Sequence, residues 1–172
     1  MRRTLFAGIL PAIAALAALV PAGPAQAREP VPFTPGTVNA NRCGFPIFVA
    51  PVTNNEYQNV TTLADGSTIT QVTGKLVVSF TNENTGKAIV RDVSGPTTTT
   101  SSPDGTGTTV GEGNNWWTVG PVSQGFIHEP GLLFTTGRVV FVFSLMPGID
   151  FPVASSYSLS GAEVNGCAML AG

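Results

Sequence analysis

"KLVVSFT" at residues 75–81, "NENTG" at 82–86 and "KAIVRDV" at 87–93 form one continuous stretch. In the first segment Leu76, Val78 and Phe80 alternate with Lys75, Val77, Ser79 and Thr81. A period of two is what a strand with one buried face requires. The third segment alternates again, and the loop between them offers Gly86 for a positive φ. The stretch reads as a β-hairpin. It is antiparallel, because so short a connection cannot carry a parallel crossover.

The same signal recurs outward. Asp65-Gly66 separates "YQNVTTL" from "STITQV", and Asp104-Gly105 separates "TTTTSS" from "TGTTV". In "GRVVFVFSL", residues 137–145, Val139, Phe141 and Phe143 face one way and Val140 and Val142 the other. A strand apolar on both faces is central or covered from outside. "SSYSLSG" supplies a last strand with Tyr157 and Leu159 inward. The run "TTTTSSPDGTGTT" is polar on both faces and reads as a protruding hairpin or a flap. Helical periodicity is nearly lacking after the first residues, where Gly and Pro recur too often for long helices. The pattern predicts an all-β antiparallel meander, closed or nearly closed into a barrel of about eight strands, with a β-sandwich as the alternative. Closure would hide the edges of an apolar sheet.

The ends fix the boundaries. Arg2 and Arg3, the apolar run Leu5–Val20 and Ala25-Gln26-Ala27 predict a secretory signal over residues 1–27 and hence a secreted protein. "REPVPFTPGTVNANR", residues 28–42, is a Pro-rich extended lead-in without apolar period, expected to stay unpacked. Residues 43–172 are then a single β domain. No later run approaches the roughly 20 apolar residues of a spanning helix, so no membrane span is expected in the mature chain. Loss of the signal removes Arg2 and Arg3 from eight basic residues and nothing from ten acidic ones, leaving a net acidic chain. Lys75, Lys87, Arg91 and Arg138 are scattered, which argues against nucleic acid as a partner. Cys43 and Cys167 are the only cysteines, and in an exported chain a lone pair reads as one disulfide. With the single His128 they do not complete a metal site.

Catalytic motifs are weak. "GPVSQG" lacks the spacing of a nucleophile elbow. His128 beside Glu129 reads first as a loop histidine, and no carboxylate pair stands out. No phosphate loop, dinucleotide signature or calcium loop occurs, so no cofactor is expected. "GEGNNWWTVGP", residues 111–121, carries Trp116 and Trp117 side by side. On a strand, adjacent side chains point to opposite faces, so one indole packs in the core and the other is partly covered. The functional reading of the same stretch is a barrel mouth, with Trp116, Trp117, Phe126 and His128 around a small apolar opening.

The blocks "CGFPIFV", "TGKLVVSFTNENTGKAI", "DVSGP", "GLLFTTGRVVF" and "CAML" resemble a group of small secreted actinobacterial β-rich proteins with a terminal Cys pair. The resemblance runs from Cys43 to Leu170 and rests on turn glycines, strand residues and the two cysteines. It implies export and a shared β fold and brings no catalytic residue with it. Three function classes follow. The first is a secreted non-catalytic protein binding a small apolar ligand or an envelope partner at the aromatic mouth. The second is a structural or envelope-associated protein without a pocket. The third is a barrel isomerase or cyclase.

Overall fold

A computed structural model describes residues 28–38, 42–119, 131–145 and 152–172. The predicted signal, residues 1–27, lies outside the described residues. The strands are β1 (Glu29–Pro30), β2 (Gly36–Val38), β3 (Ile47–Thr62), β4 (Thr68–Asn82), β5 (Ala88–Asp92), β6 (Thr97–Ser101), β7 (Thr106–Glu112), β8 (Asn115–Val119), β9 (Gly131–Leu145) and β10 (Pro152–Asn165). A short helix, α1 (Gly166–Leu170), closes the order. All pairings are antiparallel, and the strands form one ten-stranded sheet with the path β1-β3-β4-β6-β7-β9-β10.

The three hairpins fall where the turn residues put them. Asp65 Oδ1 accepts the Ser67 N–H at 2.9 Å, and Asp104 Oδ1 accepts the Thr106 N–H at 2.9 Å. In the third, Asn82 Oδ1 accepts the Asn84 N–H at 2.9 Å. The backbone N–H of Ser67 holds the Asp65 carboxyl below its ordinary range, and the Thr106 hydroxyl does the same for Asp104. Carboxyls depressed in the folded state stabilise it above the unfolded value of about 4. That contribution disappears as pH falls through the folded value.

Four long strands organise the sheet, and two of them change neighbours midway. β4 pairs with β6 through Thr68–Val72 and with β5 through Val77–Thr81. β9 pairs with β8 through Gly131–Thr135 and with β7 through Arg138–Ser144. A glycine sits at each exchange: Gly74 with φ 129° on β4, and Gly137 with φ 99° on β9, opposite Gly161 of β10. A Cβ at Gly74 would overlap the Asn55 carbonyl oxygen, one at Gly137 that of Ser160, and one at Gly161 that of Thr136. These creases require glycine both for the backbone angle and for the approach of the facing strand. Beyond them the sheet forks into two leaves, β2-β3-β4-β5 and β8-β9-β10. The leaves pack on each other: the Phe80 ring of β4 lies 5.1 Å from Phe134 of β9 and 5.2 Å from Trp116 of β8, both edge-on.

The predicted face Leu76, Val78 and Phe80 is the buried one, at 5%, 0% and 0% exposure. Ile47, Val49, Val93, Leu132 and Leu170 complete this core. β9 is central and buried on both sides at its start, from Gly131 to Thr135. The expected closed barrel of about eight strands is therefore corrected to an open ten-stranded sheet. Among the described residues no ladder joins β10 to β1, β2 or β3. A barrel needs strands of continuous tilt. Here the creases divert the long strands, and stacking of the two leaves buries the apolar surface that closure was expected to bury. Among the described residues the face-to-face packing of the sandwich alternative is found at this forked end.

Two further expectations change. The lead-in is extended but not unpacked: Glu29 and Pro30 pair with Gln58 and Tyr57, and Gly36–Val38 pairs with Val49–Ile47. Phe33 and Val38 pack against the core, so the segment covers an edge of β3 that would otherwise be bare. The Thr-rich hairpin does not protrude. β6 and β7 lie between β4 and β9, where the branched threonines suit a pleated interior position. Thr99 and Thr109 share a hydrogen bond across it at 3.0 Å.

Cys43 and Cys167 are disulfide-bonded, with Cα atoms 5.2 Å apart across 124 residues of sequence. α1 carries Cys167, is capped by the Asn165 side chain accepting from the Ala168 N–H, and buries Leu170. The buried amide of Asn82 donates to the Leu170 carbonyl at 3.1 Å, fastening helix to hairpin.

Two measurements check this architecture. Gly137→Ala is expected to lower stability by about 1–3 kcal/mol through backbone strain. Gly36→Ala, whose Cβ meets nothing within 4 Å, is expected to leave the denaturation midpoint unchanged or raised. Reducing the disulfide is expected to lower stability by up to about 4–5 kcal/mol in the loop-entropy description. Mass analysis of the unreduced protein with a thiol reagent should find no free thiol.

Candidate functional site

The tryptophans occupy one short strand and serve opposite faces. Trp116 pairs with Phe134 and Trp117 with Leu133. Trp116 packs edge-on against Phe80 and belongs to the core. Trp117 lies over Gly111 on the other side, its Nε1 donating to Thr135 Oγ1 at 2.9 Å. Its ring is 4.8 Å from Phe141, which in turn stands 5.0 Å from Tyr157. The Tyr157 hydroxyl donates to Glu163 at 2.5 Å. Burial first, and then the facing carboxylate, push that hydroxyl above its ordinary range. The two indoles therefore do not share a platform. Phe126 and His128 lie outside the described residues, so the four-residue mouth is represented only by its two tryptophans.

A different concavity opens at the fork. It is a cleft of about 300 Å³ between β5 on one side and β9 and β10 on the other. Its base is the turn from β7 to β8, at Asn114 and Asn115. That turn is tied to the connection from β5 to β6. The Gly95 N–H donates to the Asn114 carbonyl at 2.6 Å, and the Glu112 N–H to the Pro96 carbonyl at 2.9 Å. The buried Asn115 amide donates to the Glu112 carbonyl at 3.0 Å. The base is thus held by hydrogen bonds from both connections.

Alternation along β5 places Ile89, Arg91 and Val93 on the inward side. Arg91 stands opposite Val78 in the ladder, and its guanidinium carbon lies 5.5 Å from the centre of the Phe134 ring. Its Nη2 donates to Met169 Sδ of α1 at 3.0 Å. Among the described residues no carboxylate lies within ion-pair distance of Arg91. Asp92, one position on, accepts from the Ser94 hydroxyl at 2.5 Å and faces Lys75 at 3.4 Å. The Ser94 hydroxyl and N–H, then Lys75, hold the Asp92 carboxyl below its ordinary range. Neighbours in sequence thus have separate partners.

Sequence reasoning names Arg91 as one of four scattered cations and nominates none of the cleft-lining polar residues as a site. The available signal was Arg91 itself, a cation on the same parity as Ile89 and Val93 in an alternating strand. Asn114 and Asn115 gave no signal of their own. Among the described residues no group of three or more His, Cys, Asp or Glu is placed to hold a metal ion, and no helix is long and apolar enough to cross a membrane.

Trp116→Ala is expected to cost about 3–5 kcal/mol, as for a large core truncation. Trp117→Phe keeps the ring but strands the buried Thr135 hydroxyl, at an expected cost of about 1–3 kcal/mol. Chemical denaturation of each variant reads both values.

No family model, curated protein or solved structure matches this chain.

Proposed function

We propose that the chain is an exported, non-catalytic binding protein whose ligand site is the cleft at the fork of the sheet. The observation that carries this reading is a concavity with a hydrogen-bonded base, where apolar and polar groups converge. Export rests on residues 1–27, and the Cys43–Cys167 bond supports it, since such bonds persist in oxidising compartments. The resemblance to small secreted actinobacterial proteins agrees with that location. The cleft is preferred to the aromatic mouth because its lining is described, whereas Phe126 and His128 lie outside the described residues.

A second reading, a structural or envelope-associated protein without a pocket, draws on the filled core. Phe80, Ile47, Leu132, Leu170, Val78 and Val139 are all fully buried, so a ligand would sit at the cleft and not in a lumen. The isomerase or cyclase reading has no carrying observation among the described residues.

Titration with a panel of small apolar and amphipathic compounds, followed by indole fluorescence, separates the first two readings. The Trp116 ring lies against Phe80 and is paired with the cleft residue Phe134, so occupancy is expected to change its emission. Val164→Phe, which narrows the mouth without adding an indole, is expected to weaken or abolish the response while leaving the thermal transition in place. A flat response across the panel would leave the structural reading.

A further inference from the structure

We propose that the cleft recognises an apolar chain ending in a single carboxylate, with Arg91 as the counter-ion. This rests on the binding reading above and names the chemistry of its ligand. A guanidinium presents five N–H donors in a fixed plane. Arg91 has the Phe134 ring on its face and one bond to Met169 Sδ, a weak acceptor. Both orient the group and neither neutralises it. Arg91 is half-buried on the inward side of β5, so part of its hydration is already lost.

The surrounding acids are already engaged. Asp92 is held by Ser94 and Lys75, Glu112 pairs with Arg138 at 3.0 Å, and Glu163 accepts from Tyr157. A ligand carboxylate would supply two oxygens matched to the free edge of the guanidinium. One charge fits better than two. Among the described residues Arg91 is the one cation lining the cleft, and Asp92 beside it disfavours a dianion. The rest of the ligand is read from the mouth, where Val90 and Val164 are 58% and 45% exposed. An apolar chain leaving the carboxylate would cover Val164, while Val90, outward by the alternation of β5, borders the cleft at its rim. The same chemistry is offered by a free aliphatic acid or by the C-terminus of a peptide.

The disulfide-bonded protein is titrated with hexanoate and with hexanamide, observing the Arg91 Nε–H and Asn115 side-chain amide resonances by heteronuclear NMR. N-acetyl-Ala-Val and its C-terminal amide form a parallel pair of probes. At least one acid is expected to bind about tenfold or more tighter than its amide, the scale of a hydrogen bond to a charged group. Arg91→Gln should bring that ratio close to one, and Arg91→Lys should keep part of it. Hexanoate as the better ligand identifies a free acid as the natural class; the dipeptide as the better one identifies a chain end. Equal binding of acid and amide overturns the role of Arg91 while leaving the cleft as a site. If neither pair shifts the cleft resonances, the proposal falls together with the binding reading beneath it.

Discussion

The close approach of backbone to backbone at Gly74, and at the Gly137–Gly161 pair, is the constraint on which the rest of the fold depends. At each position a facing carbonyl oxygen occupies the space of a side chain. The long strands can therefore change direction without breaking their ladders. Because β4 and β9 crease in corresponding places, each exchanges one neighbour for another at the same end of the sheet. The fork, the stacked leaves and the Phe80–Phe134–Trp116 cluster all follow. The cleft is what remains open where the leaves part around β5.

Much of the strand pattern was legible because it is local. The alternation of Leu76, Val78 and Phe80, and the Asp-Gly turns at 65–66 and 104–105, depend on period and turn chemistry alone. Closure was not legible. Whether a twisted sheet meets its own edge depends on where the strands bend, and Gly74, Gly137 and Gly161 look in sequence like any glycine inside a strand. The placement of the Thr-rich hairpin is not local either. Polarity on both faces argued for exposure, yet β6 and β7 are flanked on both sides, and burial of backbone edges there does not need apolar side chains. The prolines of the lead-in preclude an inner strand but suit an outer one, which is where β1 and β2 lie.

The candidate site was legible only at single residues. Opposite orientation of Trp116 and Trp117 follows from strand geometry, and the structure assigns Trp116 to the core. The cleft brings together residues far apart in sequence, from β5, the β7–β8 turn, β9 and β10, and no local pattern links them. Its chemistry turns on Arg91 meeting no carboxylate among the described residues. That is a property of the folded arrangement, since Asp92 next to it would pass for a partner in the sequence.

The covalent closure between Cys43 and Cys167 also has a mechanical side. Strands β3 to β10 lie entirely within the loop it closes, and among the described strands β1 and β2 lie outside it. Tension applied at the two chain ends would peel β1 and β2 from β3 and then pass directly through the sulfur–sulfur bond. The creased sheet and the cleft would carry no load. Tethered at either end to something that moves, the domain would stay folded until that bond was reduced.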